Sequence, residues 1–270
     1  MVVFPPCKIN VGLHVLYRRK DGYHELDTCF YPIPFTDILE ILPADQFSLT
    51  ISGSTIEGKI EENLCTKAFR LIQTNHHIPN VAIHLHKILP TGAGLGGGSA
   101  DAAYTLLTLN QLFDLKLKTE ELAQYAAQLG SDCAFFCYQQ PMIGKGRGEI
   151  LEPSKSWLKN YYLVLMKPAI HVSTALAYQG IQPKNNRPSI ESLLALPIEE
   201  WKNVVENDFE KGVFAQFPAI QKIKEFLYDV GAIYAAMSGS GSSVFGIFAD
   251  EQKGKSISHP DIIWHGWLTA

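Results

Sequence analysis

The sequence contains no C-x-x-C pair, and its five cysteines (Cys7, Cys29, Cys65, Cys133 and Cys137) are an odd number. That pattern argues against a zinc ribbon and against a disulfide framework; buried, reduced thiols in a cytosolic chain are expected instead. No block of basic residues stands out, and 23 Lys and Arg stand against 27 Asp and Glu for a formal net charge of -4. Sequence-independent binding of nucleic acid needs a surplus of cations to displace counterions from phosphates, so that class is disfavoured. No apolar run reaches the roughly 18 residues that a membrane span requires. The first residues, Met1-Val2-Val3-Phe4-Pro5-Pro6, lack the charged start and long apolar core of a secretory signal. There is neither an internal repeat nor a low-complexity tail. A cytoplasmic protein with no membrane or nucleic-acid partner is expected.

What is present is an ordinary globular composition, 46% hydrophobic and 19% charged over 270 residues. That length suffices for one large α/β unit or two modest lobes with separate cores. Ile9, Val11, Leu13 and Val15 alternate with Asn10, Gly12 and His14, the pattern of a half-buried strand. Strands are also expected at Ile38–Leu42, Phe47–Ile51 and Val81–His86, with a helix over Asn63–Gln73. His84 and His86 sit two apart in that third run, so they read as the polar face of a strand before they read as metal ligands. A helix over Ala100–Phe113 places Ala103, Leu106, Leu107 and Asn110 on one side. Thr119 is expected to cap the next helix, with Glu120 and Glu121 in its first turn and Gly130 as its stop. A glycine-rich turn, Gly144–Gly148, follows. Later elements are a strand at Tyr161–Met166, a loop at Pro183–Pro188, and helices at Ile190–Leu196, Asn203–Phe209 and Ile220–Val230. Strands at Ile233–Met237 and Val244–Phe248 enclose Ser238-Gly239-Ser240-Gly241-Ser242. The spacing gives two α+β lobes, 1–155 and 156–270. The tail His259–Ala270, with Trp264 and Trp267, gives no reading.

The sharpest local feature is Pro90-Thr91-Gly92-Ala93-Gly94-Leu95-Gly96-Gly97-Gly98-Ser99-Ala100-Asp101, with a strand before it and a helix after it. Glycines let the backbone approach an anion and turn N–H groups toward it, and the following helix adds the positive end of its dipole. Together they form a phosphate cradle. Ser99 is placed to cap the helix, to touch a phosphate, or to ligate a magnesium ion carried in by a nucleotide. The stretch formally contains G-x-G-x-x-G, but a dinucleotide fingerprint opens the fold and has an acid about 20 residues on, where Gln111 lies here. No Lys-Ser/Thr pair ends the loop, so it is not a Walker A sequence. A linker would be flanked by polar sequence.

Three separated features occur in order: Pro6-Cys7-Lys8-Ile9-Asn10 at the start of a strand, the glycine loop, and the Ser238–Ser242 loop. That order resembles the three motifs of the GHMP kinase superfamily. The resemblance runs from about Pro6 to about Ala249. It sharpens at Asp21-Gly22-Tyr23-His24-Glu25-Leu26, Leu129-Gly130-Ser131-Asp132 and Gly146-Arg147-Gly148-Glu149-Ile150-Leu151, which look like the branch acting on a cytidine-diphosphate-linked polyol in isoprenoid precursor synthesis. The resemblance implies an α+β, two-lobed GHMP kinase fold with the active site in the inter-lobe cleft, ATP with Mg2+ as the phosphoryl source, and phosphorylation of the acceptor's 2-hydroxyl. It places the nucleotide loop on Pro90, Thr91, Gly92, Ala93, Gly94, Leu95, Gly96, Gly97, Gly98, Ser99 and Ala100, with Asn63 and Lys87 near the nucleotide. It places the catalytic positions on Lys8 and Asp132, the acceptor contact on Asn10, and the cytidine contacts on Tyr23, His24 and Tyr178. Metal ligands and oligomeric state are not implied.

The chemistry agrees with these positions. An alcohol attacking ATP must lose a proton, and a carboxylate such as Asp132 can take it late in a loose transition state. Lys8 can steady that carboxylate and offset charge on the transferring phosphoryl. Without the ordered motifs, Asp132 would read as a residue at a helix N-terminus and Lys8 as a surface cation. Tyr23-His24 offers a stacking face beside a hydrogen-bonding edge, which suits a nucleobase. Cys7 stands where the superfamily branch usually has alanine, which would expose the site to thiol reagents, and the sequence around Tyr178 matches loosely. Rival readings are a related kinase acting on homoserine or mevalonate, and a nucleotide-binding relative without catalysis; intact Lys8 and Asp132 count against the latter.

Overall fold

The computed structural model describes residues 1–55 and 58–268. In chain order the first elements are β1 (Val2–Val3), β2 (Pro6–Arg18), β3 (His24–Thr36), β4 (Ile38–Pro43), β5 (Ser48–Gly53), α1 (Leu64–His76) and β6 (Val81–Lys87). Next come α2 (Gly97–Leu112), α3 (Thr119–Ala127), α4 (Cys133–Tyr138), β7 (Met142–Gly146), β8 (Ile150–Pro153), β9 (Tyr162–Met166) and α5 (Thr174–Tyr178). The rest are α6 (Ile190–Leu194), α7 (Ile198–Val204), α8 (Phe209–Gln216), α9 (Pro218–Asp229), β10 (Tyr234–Met237), β11 (Val244–Phe248), α10 (Glu251–Lys255) and β12 (Ile262–Trp267). This is the expected α+β mixture.

The chain divides into two compact units, each assembled from several segments. The first holds Met1–Cys7, Ile33–Thr91 and Gly96–Gln139; the second holds Lys8–Pro32, Gly92–Leu95 and Gln140–Ala270. Residue 155 therefore falls inside the second unit, in the stretch after β8.

In the first unit β1-β4-β6-β5 form one sheet, parallel only at β5–β6. The alternation in β6 works as the sequence suggests: Val81, Ile83 and Leu85 are buried while His84 faces solvent, and both His84 and His86 hydrogen-bond Ser52. No group of three or more metal-type ligands occurs among the described residues. Helix α2 packs on α1, α3, α4 and β4, so it is buried around most of its girth and not along one stripe. Helix α3 starts at Thr119, which is therefore its first residue and not its cap. Lys118 occupies the cap position, and the Glu121 carboxylate accepts its N–H at 2.8 Å, so a first-turn acid does the capping from inside the helix.

In the second unit one sheet runs β10-β11-β9-β12 and another β2-β3-β7-β8. Leu13, Val15, Leu26, Val164, Met166, Phe209, Leu227 and Phe248 share one core. The expected half-buried β2 is buried on both faces from Cys7 to Val15; Asn10 and His14 lie inside with the apolar residues. Asn203–Phe209 is not a helix. The chain leaves α7 at Val204 because the Asn207 amide donates to the Met237 and Gly239 carbonyls, at 2.8 and 2.9 Å, and Leu13 pairs with Asn207 as a bridge. The Gly144–Gly148 stretch is the end of β7 and the turn into β8. The unread tail contributes β12, which adds to β9 as an edge strand and sets Trp267 edge-on against Tyr162 at 5.6 Å. Thr269 and Ala270 lie outside the described residues. All five cysteines are reduced and buried; Cys7 has no exposed surface, so the expected route for thiol reagents is closed.

Candidate active site

The glycine loop alternates two kinds of residue. Ala93 and Leu95 point into the protein and are buried, while Gly92, Gly94 and Gly96 adopt left-handed backbone with φ of 63°, 76° and 72°. A β-carbon at Gly94 would sit inside the van der Waals shell of the Ser238 carbonyl oxygen, so the site tolerates no side chain there. Gly96 is the cap residue of α2, and the helix begins at Gly97. Ser99 is thus the third helical residue and does not cap. Gly97, Gly98 and Ser99 are the first-turn positions whose N–H groups an α-helix leaves without intrahelical partners. Beside Gly98 there is room: a β-carbon built there meets nothing nearer than Leu64 Cδ1 at 4.0 Å. The arrangement can receive an anion on these first-turn N–H groups and on the positive end of the helix dipole.

In the second unit Lys8, Asn10, Gly94 and Ser238 are brought together. Lys8 is 3% exposed, which removes its reading as a surface cation. Its ammonium donates to Asn10 Oδ1 at 2.5 Å and to the Gly94 carbonyl at 3.1 Å, and lies 5.4 Å from the centre of the Phe30 ring. The Lys8 N–H donates to the Leu95 carbonyl, Ser243 N–H to the Ala93 carbonyl, and Ser238 Oγ to the Gly94 carbonyl. The glycine segment 92–95 is therefore held by β2 and by the Ser238–Ser242 loop, both sequence features.

In the first unit Asn63, Leu64, Lys87, Thr91, Gly98 and Asp101 line a cavity of about 300 Å³. Asn63 caps α1 by accepting Cys65 N–H at 2.8 Å. Lys87 is buried with its ammonium on the carboxylates of Asp37 and Asp101, the latter at 2.8 Å. Burial by itself disfavours the ammonium, but the charges of Asp101 and Asp37 outweigh it and raise its pKa. Burial pushes the Asp101 carboxyl up, above the ordinary carboxylate range, against the pull of Lys87. Lys87 therefore lines the cavity as part of an internal ion triad and not as an extended cation. Asp37 also accepts the N–H groups of Ile88 and Leu89, at 2.6 and 2.8 Å, and so fixes the chain just before the loop.

Asp132 precedes α4 in right-handed backbone and makes no side-chain cap bond, so it is not there as a helix cap. The next residue, Cys133, has its thiol pushed up to about 11 by burial, opposed by a hydrogen bond with Ser99. That bond ties the start of α2 to the start of α4.

Of the three aromatic positions, His24 and Tyr178 stack at 4.9 Å with 20° between planes, and Phe209 abuts Tyr178 edge-on at 4.8 Å. Burial, then the nearby Arg18, lowers the His24 pKa, which favours the neutral imidazole. Tyr23 is not in that stack. It is 57% exposed, and the Arg147 guanidinium lies 4.8 Å over its ring. Sequence reasoning missed Thr28 and Asp37, and gave Arg147 no role beyond its place in the Gly146–Leu151 motif. Asp37 shares the apolar stretch Ile33–Leu42 with a second acid, Glu40, and so did not stand out; Thr28 had no signal of its own.

Residues 63–140 match the family model of the GHMP kinases N terminal domain, and residues 189–259 that of the GHMP kinases C terminal domain. A protein of Bacteroides fragilis named 4-diphosphocytidyl-2-C-methyl-D-erythritol kinase is 51% identical over 257 residues, covering 94% of each chain. One of the same name from Parabacteroides distasonis is 45% identical over the full length of both. Among solved structures, a 4-(cytidine 5'-diphospho)-2C-methyl-D-erythritol kinase is 32% identical, superposes with a TM-score of 0.80, and is matched over 94% of this chain and 92% of its own. A mevalonate kinase shares the fold at 17% identity and a TM-score of 0.67. A glycine loop ending in a helix, a buried lysine against that loop and this breadth of kinship place the chain in the GHMP kinases, among the 4-diphosphocytidyl-2-C-methyl-D-erythritol kinases.

Proposed function

We propose that the chain transfers the terminal phosphoryl group of ATP to the 2-hydroxyl of 4-diphosphocytidyl-2-C-methyl-D-erythritol, in the cytoplasm, as a step toward isoprenoid precursors. The glycine loop carries the reaction type: left-handed glycines, first-turn N–H groups without intrahelical partners and open space at Gly98 suit the phosphates of a nucleotide. The acceptor is supported by the relatives, which bear that substrate in their names across nearly their whole length.

In this reading Pro90–Ala100 cradles the phosphates, with Asn63 and Lys87 beside the nucleotide. Asp132 accepts the proton of the attacking hydroxyl. Lys8 offsets charge growing on the phosphoryl oxygens; burial strengthens that effect because little water screens it. Asn10 contacts the acceptor, and Tyr23, His24 and Tyr178 hold the cytosine. The His24–Tyr178 stack supplies an aromatic platform, and the neutral imidazole offers one donor and one acceptor to the base edge. A Mg2+ ion carried in with the nucleotide would be met by the Ser99 hydroxyl, in the first turn of α2. Bound there, it would neutralise phosphate charge. Residues 1–155 are proposed as an N-terminal ATP-binding GHMP lobe and 156–270 as a C-terminal GHMP lobe; the two family-model matches, 63–140 and 189–259, fall on either side of that boundary. The test is phosphorus NMR of the product, which should show a new monoester on the tertiary carbon and one ADP per monoester. ADP formed without the ester would refute the transfer.

A further inference from the structure

The orientation of Asn10 is not arbitrary, and the reason lies one residue deeper. Thr28, on β3, has no exposed surface. Its hydroxyl stands 2.6 Å from the Gly12 carbonyl and 2.9 Å from Asn10 Nδ2. A carbonyl can only accept, so the single hydroxyl proton of Thr28 goes to Gly12. Toward Asn10 the oxygen can then only accept, and Asn10 must present its NH2. That leaves Asn10 Oδ1 facing the Lys8 ammonium, which can only donate, at 2.5 Å. The opposite amide orientation would set NH2 against NH3⁺ and oxygen against oxygen. Two further bonds close the arrangement: Asn10 N–H donates to Ser238 Oγ at 3.3 Å, and Ser238 Oγ donates to the same Gly94 carbonyl that accepts from Lys8.

We propose that Thr28 is a positioning residue for phosphoryl transfer: its hydroxyl fixes the Asn10 amide, which in turn holds the Lys8 ammonium against the glycine loop. Gly12, Asn10, Thr28, Lys8, Gly94 and Ser238 all belong to the second unit, and Lys8, Asn10, Thr28 and Ser238 are buried, so little water competes for these bonds. The inference rests on the assignment of Lys8 to catalysis. Without the threonine hydroxyl, the amide can turn and the ammonium loses a fixed acceptor; misplacement of a catalytic group by about an ångström costs on the order of a hundredfold in rate.

The test is a double-mutant cycle of Thr28→Val with Lys8→Met, with kcat expressed per ATP site counted by calorimetry. Valine keeps the branched shape of threonine and replaces the hydroxyl with a methyl group. Thr28→Val should lower kcat at least about tenfold, with KM for ATP within about twofold of the parent, and Thr28→Ser should restore it. In the Lys8→Met background the same change should cost less than about twofold, because its target is gone. Equal losses in both backgrounds, or no rescue by serine, would overturn the proposal and assign Thr28 to packing alone. If Lys8→Met itself kept full kcat, the catalytic assignment of Lys8 would fail and the proposal with it. If Thr28→Val does not fold, Thr28→Ala carries the same cycle with the same two outcomes.

Discussion

Gly98→Ala separates a glycine kept for packing from one kept for a ligand. Gly98 lies in the first turn of α2 with ordinary helical backbone, and the added methyl would meet only Leu64 Cδ1, at 4.0 Å. Nothing in the protein resists it. Alanine in a helix is favoured over glycine by roughly 0.5–1 kcal/mol, so the variant should be as stable as the parent or slightly more so. Its effect on ATP should be opposite. If the backbone here closes on a phosphate, the methyl occupies the approach path and one charge-assisted hydrogen bond is lost, worth roughly 1.5–3 kcal/mol. That is about a tenfold to hundredfold loss of affinity. The assay pairs urea unfolding with calorimetric titration of ATP. Gly94→Ala gives the contrast: its methyl strikes the Ser238 carbonyl, so it should lower stability and activity together. A stable Gly98→Ala protein with ATP affinity within twofold of the parent would refute the cradle.

Asp132→Asn should leave the fold and ATP affinity intact and lower kcat by at least about a hundredfold, the usual scale of a general base; near-normal turnover in the folded variant would remove Asp132 from the mechanism. His14 should set a limit on acid stability. It is fully buried with neither ring nitrogen hydrogen-bonded, and burial, then the charge of Arg187, lowers its pKa to about 4. An unfolded histidine takes a proton below pH 6.5 that the folded one refuses until about pH 4, so stability is lost as pH falls through that window. Between pH 7 and pH 5 this amounts to about 2 kcal/mol. Urea titrations at both pH values should show the loss in the parent and a smaller one in His14→Leu; an equal loss would place the acid sensitivity elsewhere.

The local elements were legible where one residue type decides the backbone. The glycines at 92, 94 and 96 fix a left-handed loop, Gly-Ser residues 238–242 a turn between strands, and apolar alternation β6. Elements decided by distant partners were not. Asn203–Phe209 has the periodicity of a helix, yet the Asn207 amide is engaged by two carbonyls some thirty residues later in the chain, and tertiary bonding overrides local propensity. For the same reason β2 reads as half-buried: Asn10 looks like a solvent-facing residue until Thr28 and Lys8 satisfy its amide inside the protein. Ordered motifs nominate candidate site residues, but not the surroundings of their side chains. That Lys87 sits in an ion triad, and that His24 stacks on Tyr178 while Tyr23 meets Arg147, depends on Asp37, Asp101 and Arg147, none of which has a local pattern tied to that partner.

The most direct test of the central claim is kcat/KM of the purified chain, with ATP and Mg2+ fixed, on the cytidine-linked substrate, its uridine analogue, free methylerythritol phosphate, homoserine and mevalonate. A cytosine held on its pairing edge lends binding energy to the remote hydroxyl, and uracil leaves part of that edge unpaired. The cytidine-linked substrate should therefore be used best, the uridine analogue at least about tenfold less well, and the unlinked phosphate, homoserine and mevalonate far less still. Homoserine, mevalonate or unlinked methylerythritol phosphate turned over best would contradict the account.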